Sequence, residues 1–494
     1  SETSDGYVTN VYDDSSPGHE DAFGARGKLI WKPNDKLEVK FYAYADRIEG
    51  ETGNVQVPYD YSAYNTRYNS NLGEFDVAMD DGTNGATRDS NTQALRISYE
   101  APWFDIISMT SRRDVDLNAT LDTDMTDYAG IRSTGLADKS LTDYSQELRF
   151  VSPQYKDLPL KWVAGLFYLN QKRYARLFID YKFMNYATTF SHAENTGYNL
   201  AAFGQATYRF WGERLGLTAG IRLEQAERSM DRNDDMVQNY SDSATETEWL
   251  PRLVLDYMIT QDVMAYASAS KGWRNGGLNP YAPSRDFIPY DKEVTWNYEV
   301  GLKSVFFNNR LRLNASFFYM DVRDYQETVY TGDGTASYFG NAEKVTIKGF
   351  ELEAEARPWA GWQFSASLGF SDAVYDDYQL TDAINLEGNK VADTPEWEFT
   401  GIAQYTFPMG LYLRGEFYAA GKKYLSPEND LEQEPFQLYN ARIGYKGGSF
   451  EVYLFGENLT DKLYYLDATD GFDGLAYGPV GLGRIIGAGA SYLF

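Results

Sequence analysis

The stretch "GRIIGAGASYLF", Gly483–Phe494, decides how this chain is read. Every second residue back from its end gives Phe494, Tyr492, Ala490, Ala488 and Ile486. The interleaved set is Leu493, Ser491, Gly489, Gly487 and Ile485. One face is consistently apolar and the other mostly small and polar, as in a strand with side chains alternating across it. The pattern runs to an aromatic residue, whereas the termini of most soluble domains fray into polar sequence.

The same alternation recurs upstream. In "KLEVKFYAYA" (Lys36–Ala45), Leu37, Val39, Phe41, Ala43 and Ala45 oppose Lys36, Glu38, Lys40, Tyr42 and Tyr44. In "RLRLNASFFY" (Arg310–Tyr319), Leu311, Leu313, Ala315, Phe317 and Tyr319 oppose Arg310, Arg312, Asn314 and Ser316. "WQFSASLGF" (Trp362–Phe370) sets Phe364, Ala366 and Leu368 against Ser365, Ser367 and Gly369. About twenty such segments follow one another without a helix, at the upper end for an open sheet.

Composition agrees. The 494 residues include 41 Tyr, 28 Phe, 10 Trp and 43 Gly, and the mean hydropathy is -0.51. No run approaches the roughly 18 consecutive apolar residues of a spanning helix. A transmembrane barrel needs only half of each strand to be apolar. With no cysteine, disulfides, zinc fingers and thiol nucleophiles are excluded. Two histidines, His19 and His192, leave little for a catalytic triad or a histidine metal site, and the net charge of -27 argues against nucleic-acid binding. No secretory signal opens the chain, so for an exported protein a mature form or a fragment is expected.

Connections alternate in length. Tight turns fall at 32–35, 101–103, 211–213, 260–262, 307–309, 408–410 and 447–448, and long polar loops at 48–91, 119–140, 231–246, 275–292, 329–344 and 463–483. Short periplasmic turns and long external loops characterise outer-membrane barrels. The expected fold is therefore all-β, a transmembrane antiparallel β-barrel over 1–494. Its last strand pairs with Glu451–Asn458, and "DGYVTN" (Asp5–Asn10) forms a first partial strand.

Four blocks carry a family resemblance: "YASASKGWRNGGLNP" (266–280), the run 293–326, "KGFELEAEARP" (348–358) and "LYNARIGYKGGSFEVYLFGENLTDKLYY" (438–465). Together with the terminal Phe they resemble the barrel of TonB-dependent outer-membrane receptors. The resemblance implies a 22-stranded barrel around an N-terminal plug. About twenty strands are present here, and the plug and its energy-coupling box are not seen, so a longer native polypeptide is expected. It also implies that the last strand, with Tyr492 and Phe494, is read by the barrel-assembly machinery. Further implied partners are the TonB energy-transducing complex, acting through the plug, and the lipopolysaccharide and lipid of the outer membrane.

Candidate binding residues follow from residue chemistry. "VPYDYSAYNTRYN" places Tyr59, Tyr61, Tyr64 and Tyr68 in the acidic loop 48–91. Tyr joins an apolar face to a polar tip, suited to flat or sugar-like ligands, although a packed loop of mutually buried tyrosines is the plainer reading. Arg274 shares strand parity with Tyr266, Ser268 and Ser270 and is placed in the lumen, as are Tyr44 and Tyr375. An Arg among aromatics could hold an anion such as a ferric siderophore; an internal ion pair is the alternative. "DRNDDMVQNYSD" (231–242) nearly matches a calcium loop, but Met236 stands where the sharp-turn Gly belongs, so a solvated acidic loop is expected. "GLGRIIG" (481–487) has the wrong spacing and context for a dinucleotide fingerprint. No constellation of an enzyme and no cofactor motif is found. The resemblance implies TonB-energised uptake of a scarce substrate, a ferric siderophore or an oligosaccharide, with a passive porin-like channel as the alternative and haem disfavoured for want of histidines.

Overall fold

The computed structural model describes every residue except 1, 51–55, 80–84, 125, 129–131, 154–157, 183–184, 331–336, 382, 471–473 and 494. Among the described residues, twenty strands form one sheet. Consecutive wall strands pair antiparallel, from Glu2–Ser4 on Glu20–Asn34 through to Phe450–Glu457 on Ile485–Tyr492. This is the barrel expected from alternation, and the even count requires the three residues Glu2–Ser4. "DGYVTN" (Asp5–Asn10) itself departs from expectation: the wall strand Glu2–Ser4 precedes it, and Thr9–Asn10 pairs parallel with Asp76–Val77, away from the wall.

The register shows why alternation is needed. Ala315 lies opposite Leu302 and Leu352, and Phe317 opposite Val300 and Phe350, so apolar side chains line up across strands on the outer face. On the inner face of the same strands, Arg312 pairs with Glu355 at 3.2 Å, Asn314 donates to Glu353 at 3.1 Å, and Ser316 to Glu351 at 3.5 Å. A one-residue slip would turn that polar ladder to lipid. Trp103, Trp211, Phe307 and Trp359 stand exposed at short turns, where an aromatic girdle meets the membrane surface. Phe307, Asn308 and Asn309 all adopt positive φ (55°, 55° and 65°), reversing the chain within a few residues.

The structure corrects the loop boundaries. Residues 85–100, 105–122, 133–151, 215–232, 240–258, 311–330 and 337–356 are continuous strands, so much of what reads as loop is wall extended beyond the membrane. There water faces the strand, apolar alternation is no longer required, and the pattern disappears while the backbone ladder continues. Further short connections join Val151 to Leu160 and Ala356 to Trp362.

The buried apolar clusters lie in these outer extensions and loops. One of them unites distant parts of the chain: Val8, Val57, Val77, Met79 and Val480 pack together. Beside it Val57–Pro58 pairs with Tyr477–Gly478, and the Tyr465 hydroxyl donates to Pro58 O at 2.8 Å.

Arg at position 313 or 368 is expected to cost about 2–4 kcal/mol if that position lies near the bilayer midplane, and Arg at the inward Ser367 much less. Detergent-to-lipid folding titrations measure this; equal costs would reverse the assignment of faces.

Candidate functional site

The tyrosines of loop 48–91 are gathered by a short helix, Tyr61–Tyr68. Asp60 caps it by accepting from Ala63 N at 3.0 Å, and Asn69 ends it with φ 54°. Tyr64 is fully buried; its ring lies 4.8 Å from Tyr68 and 6.4 Å from Tyr477, and its hydroxyl donates to Thr126 Oγ1 at 2.9 Å. Tyr68 meets Tyr128 at 5.6 Å. Tyr59 packs on Tyr465 at 5.2 Å and donates to Glu432 O at 2.7 Å. Tyr61 is exposed. These rings largely hold one another and the neighbouring loops.

The other predicted residues are dispersed. Tyr44 faces the lumen opposite Arg26 and Thr92. Tyr375 is buried and donates to Glu327 Oε2 at 2.5 Å. Arg274 pairs with Glu293 at 3.5 Å and remains half exposed. Tyr492 lies opposite Phe450 with its ring exposed on the outer face; Phe494 falls outside the described residues.

A different set of residues surrounds a cavity of about 540 Å³ at the outer end of the barrel. Lys139 lies opposite Leu117, Leu141 opposite Val115, and Arg173 opposite Leu141 and Asn195, so register brings two cations and an amide to one inner face. The segment after Gly277–Leu278 supplies Asn279, Pro280 and Tyr281, and Tyr290 and Phe339 complete an aromatic wall, their rings 5.5 Å apart. Lys139 Nζ sits 5.3 Å above the Tyr281 ring.

The polar groups here are under-used. The Tyr281 hydroxyl and Asn195 Oδ1 are buried without a hydrogen-bond partner among the described residues. No ion pair among the described residues engages Lys139, Arg173 or Arg228. Arg228 instead donates to Tyr198 O at 3.1 Å, Glu227 O at 2.7 Å, Asn199 Oδ1 at 2.6 Å and Asn275 Oδ1 at 3.2 Å. Burial lowers the pKa of Lys139, and burial followed by the nearby charge of Arg173 lowers that of Arg228. Burial pushes the Tyr281 phenol up to about 12. Arg88, also on the lining, is neutralised by Asp46 at 3.0 Å. Unpaired cations, aromatic faces and an unsatisfied amide suit a flat or ring-bearing anion.

Sequence reasoning passed over Lys139, Arg173, Asn195 and Tyr281. Strand parity alone would place the first three in the lumen; the join between them and Tyr281 comes only from tertiary structure.

Residues 31–459 match the family described as "TonB dependent receptor-like, beta-barrel". The chain belongs to this TonB-dependent receptor family. It forms an outer-membrane barrel. Its sequence is 24% identical over 317 residues to the pesticin receptor of Yersinia pestis, covering 60% of this chain and 45% of that protein. It is also 24% identical over 227 residues to the metal-pseudopaline receptor CntO of Pseudomonas aeruginosa, covering 44% of this chain and 30% of that one. The chain thus spans less than half the length of these curated relatives. The ferric yersiniabactin uptake receptor FyuA of Yersinia pestis superposes with a TM-score of 0.84 at 21% identity, covering all of this chain and 74% of that one. The siderophore receptor PiuA of Acinetobacter baumannii does so with a TM-score of 0.81 at 13% identity, covering 98% and 75%. These likenesses are to receptors, and the structural ones establish the fold.

Two outcomes test the outer layer. Tyr64→Ala is expected to destabilise the helix region by about 3–5 kcal/mol, as large-to-small core changes do, and Tyr64→Phe by about 1 kcal/mol. Proteolysis within 56–79 reports both. Burial raises the Glu327 carboxyl, with the Asp393 and Asp467 charges adding to the shift. A carboxyl raised in the folded protein favours folding below the ordinary carboxylate range and loses that contribution as pH rises through the raised value. Glu327→Gln should therefore make the outer layer more protease-resistant at about pH 8 and reduce the difference from about pH 5; an unchanged difference would identify another group as the one that titrates.

Proposed function

We propose that residues 1–494 are the barrel domain of a receptor that captures a scarce anionic ligand outside the cell and imports it with energy from the TonB complex, transmitted through a plug. The observation that carries this reading is the cavity. In a chain of net charge -27, Lys139 and Arg173 stand on its lining and make no ion pair among the described residues; Arg228, near Arg173, makes none either, with Glu224 and Glu246 acting on it only at longer range. Cations held unneutralised beside aromatic faces favour an anionic chelate over a neutral oligosaccharide. A ferric siderophore fits this chemistry, and the structural relatives FyuA and PiuA are a ferric yersiniabactin receptor and a siderophore receptor. A volume of about 540 Å³ is in keeping with a small-molecule site.

In this reading the barrel-assembly machinery recognises the closing strand through Tyr492 and Phe494, and the acidic outer loops face lipopolysaccharide bridged by divalent cations. The chain does no chemistry on its ligand.

Titration of the purified barrel with an iron(III) tris-catecholate complex tests the proposal. Arg173→Ala and Lys139→Ala should each weaken binding by about 10–100-fold at low salt, the loss of one charge-assisted contact. The effect should shrink in high salt, where exposed charges are screened. Wild-type binding should also weaken as pH rises through the depressed Lys139 value, because the ammonium form is lost. A neutral oligosaccharide binding equally to all three proteins would reject the anionic ligand.

A further inference from the structure

Beneath the aromatic wall lies a buried ion pair. Arg232 and Asp234 both have 0% side-chain exposure, and Arg232 Nε meets Asp234 Oδ2 at 2.5 Å. The near-match to a calcium loop is thus not a solvated acidic loop at Asp234: an arginine from the same turn neutralises this carboxylate. Asp234 also accepts from Met236 N at 2.9 Å, Val237 N at 2.8 Å and His192 N at 3.2 Å.

The remaining bonds of Arg232 leave its own hairpin. Nη1 donates to Ala282 O at 2.8 Å, and Nη2 to Phe190 O at 3.0 Å. Ala282 directly follows Tyr281, whose ring carries Lys139. The preceding residue is held too, by Ser191 Oγ donating to Pro280 O at 2.5 Å. Around the pair, Met230, Val237, Leu278, Ala282 and Ile288 form one apolar cluster, and Leu278 also lines the cavity.

We propose that the Arg232–Asp234 pair positions the cavity wall, fixing Asn279–Ala282 so that Tyr281 is presented to Lys139 and to the ligand. Arg232 is a positioning residue and touches no ligand. A buried ion pair is weak evidence for stability, since apolar replacements of similar volume often serve as well. Its advantage here is direction. A planar guanidinium holds one carboxylate and two carbonyls from three segments at once, in a geometry that a lysine's single ammonium does not reproduce. A wall fixed from behind is also a pre-organised one, which lowers the ordering cost on binding.

The inference rests on the proposed binding role of the cavity, but its structural half is tested without a ligand. The chain has no cysteine, so a nitroxide on Asp286→Cys reports the turn Arg285–Phe287, tied to the wall segment by Asn279 Nδ2 donating to Phe287 O at 2.9 Å, and one on Asn308→Cys a distant periplasmic turn. Two variants are compared in the full chain: Arg232→Lys, which keeps the charge, and Arg232→Met with Asp234→Leu, which removes both charges. Both are expected to loosen the label at 286, leave that at 308 unchanged, keep normal heat-modifiable gel mobility, and weaken iron(III) tris-catecholate binding by about tenfold or more. An unchanged label at 286, or equal loosening at 308, overturns the positioning role. Loosening at 286 with binding within about twofold overturns the link to the site. If the wild-type barrel binds no probe while the label at 286 loosens as described, the uptake reading fails and the strut stands as a purely structural feature.

Discussion

In hydrocarbon, a peptide group without a hydrogen-bond partner costs several kcal/mol, and no water is present to supply one. The wall of this protein answers that constraint with strand next to strand in series, each ladder satisfying its neighbours. The consequence is an inverted distribution of residues. Leucines and phenylalanines point outward to lipid, while ladders such as Arg312–Glu355 and Asn314–Glu353 line the interior. A conventional buried core cannot form inside such a wall. It forms instead in the outer layer, where Tyr64, Val57, Val480 and Ile288 are nearly or fully buried.

That displacement has a functional consequence. The outer layer is the part of the molecule packed like a soluble domain, so it can hold side chains rigidly in strained electrostatic company. Arg173 and Arg228 lie close enough for one to depress the pKa of the other, and Lys139 is partly desolvated over Tyr281. Cations left in this state gain from an incoming anion more than solvated surface lysines would. The large negative charge of the whole chain disfavours capture of anions by long-range steering, so in the proposed reading preference for an anion rests on the short-range cavity.

Alternation disclosed the wall because lipid demands it. The tight turns at 211–213, 307–309 and 408–410 were equally readable, since each separates two alternating runs. Above the membrane the demand lapses, and stretches such as Tyr240–Glu246 or Val329–Tyr330 look like loop while remaining strand. The tyrosine cluster 59–68 drew attention by composition, yet its rings chiefly pack on each other and on Tyr465 and Tyr477. The cavity residues were harder to see. Lys139, Arg173 and Asn195 are single polar residues on three separate strands, and Tyr281 sits in an irregular segment whose position depends on a buried arginine about fifty residues earlier. Nothing in local sequence marks residues that acquire meaning only through register and tertiary contact.

Anomalous diffraction from crystals grown with an iron(III) tris-catecholate would test the central claim most directly. The account predicts one iron peak inside the cavity bounded by Lys139, Arg173, Asn195 and Tyr281, with the ligand's anionic oxygens on the two cations. Iron bound instead among Tyr59, Tyr61 and Tyr68, or absent from the outer layer of a saturated protein, would contradict it.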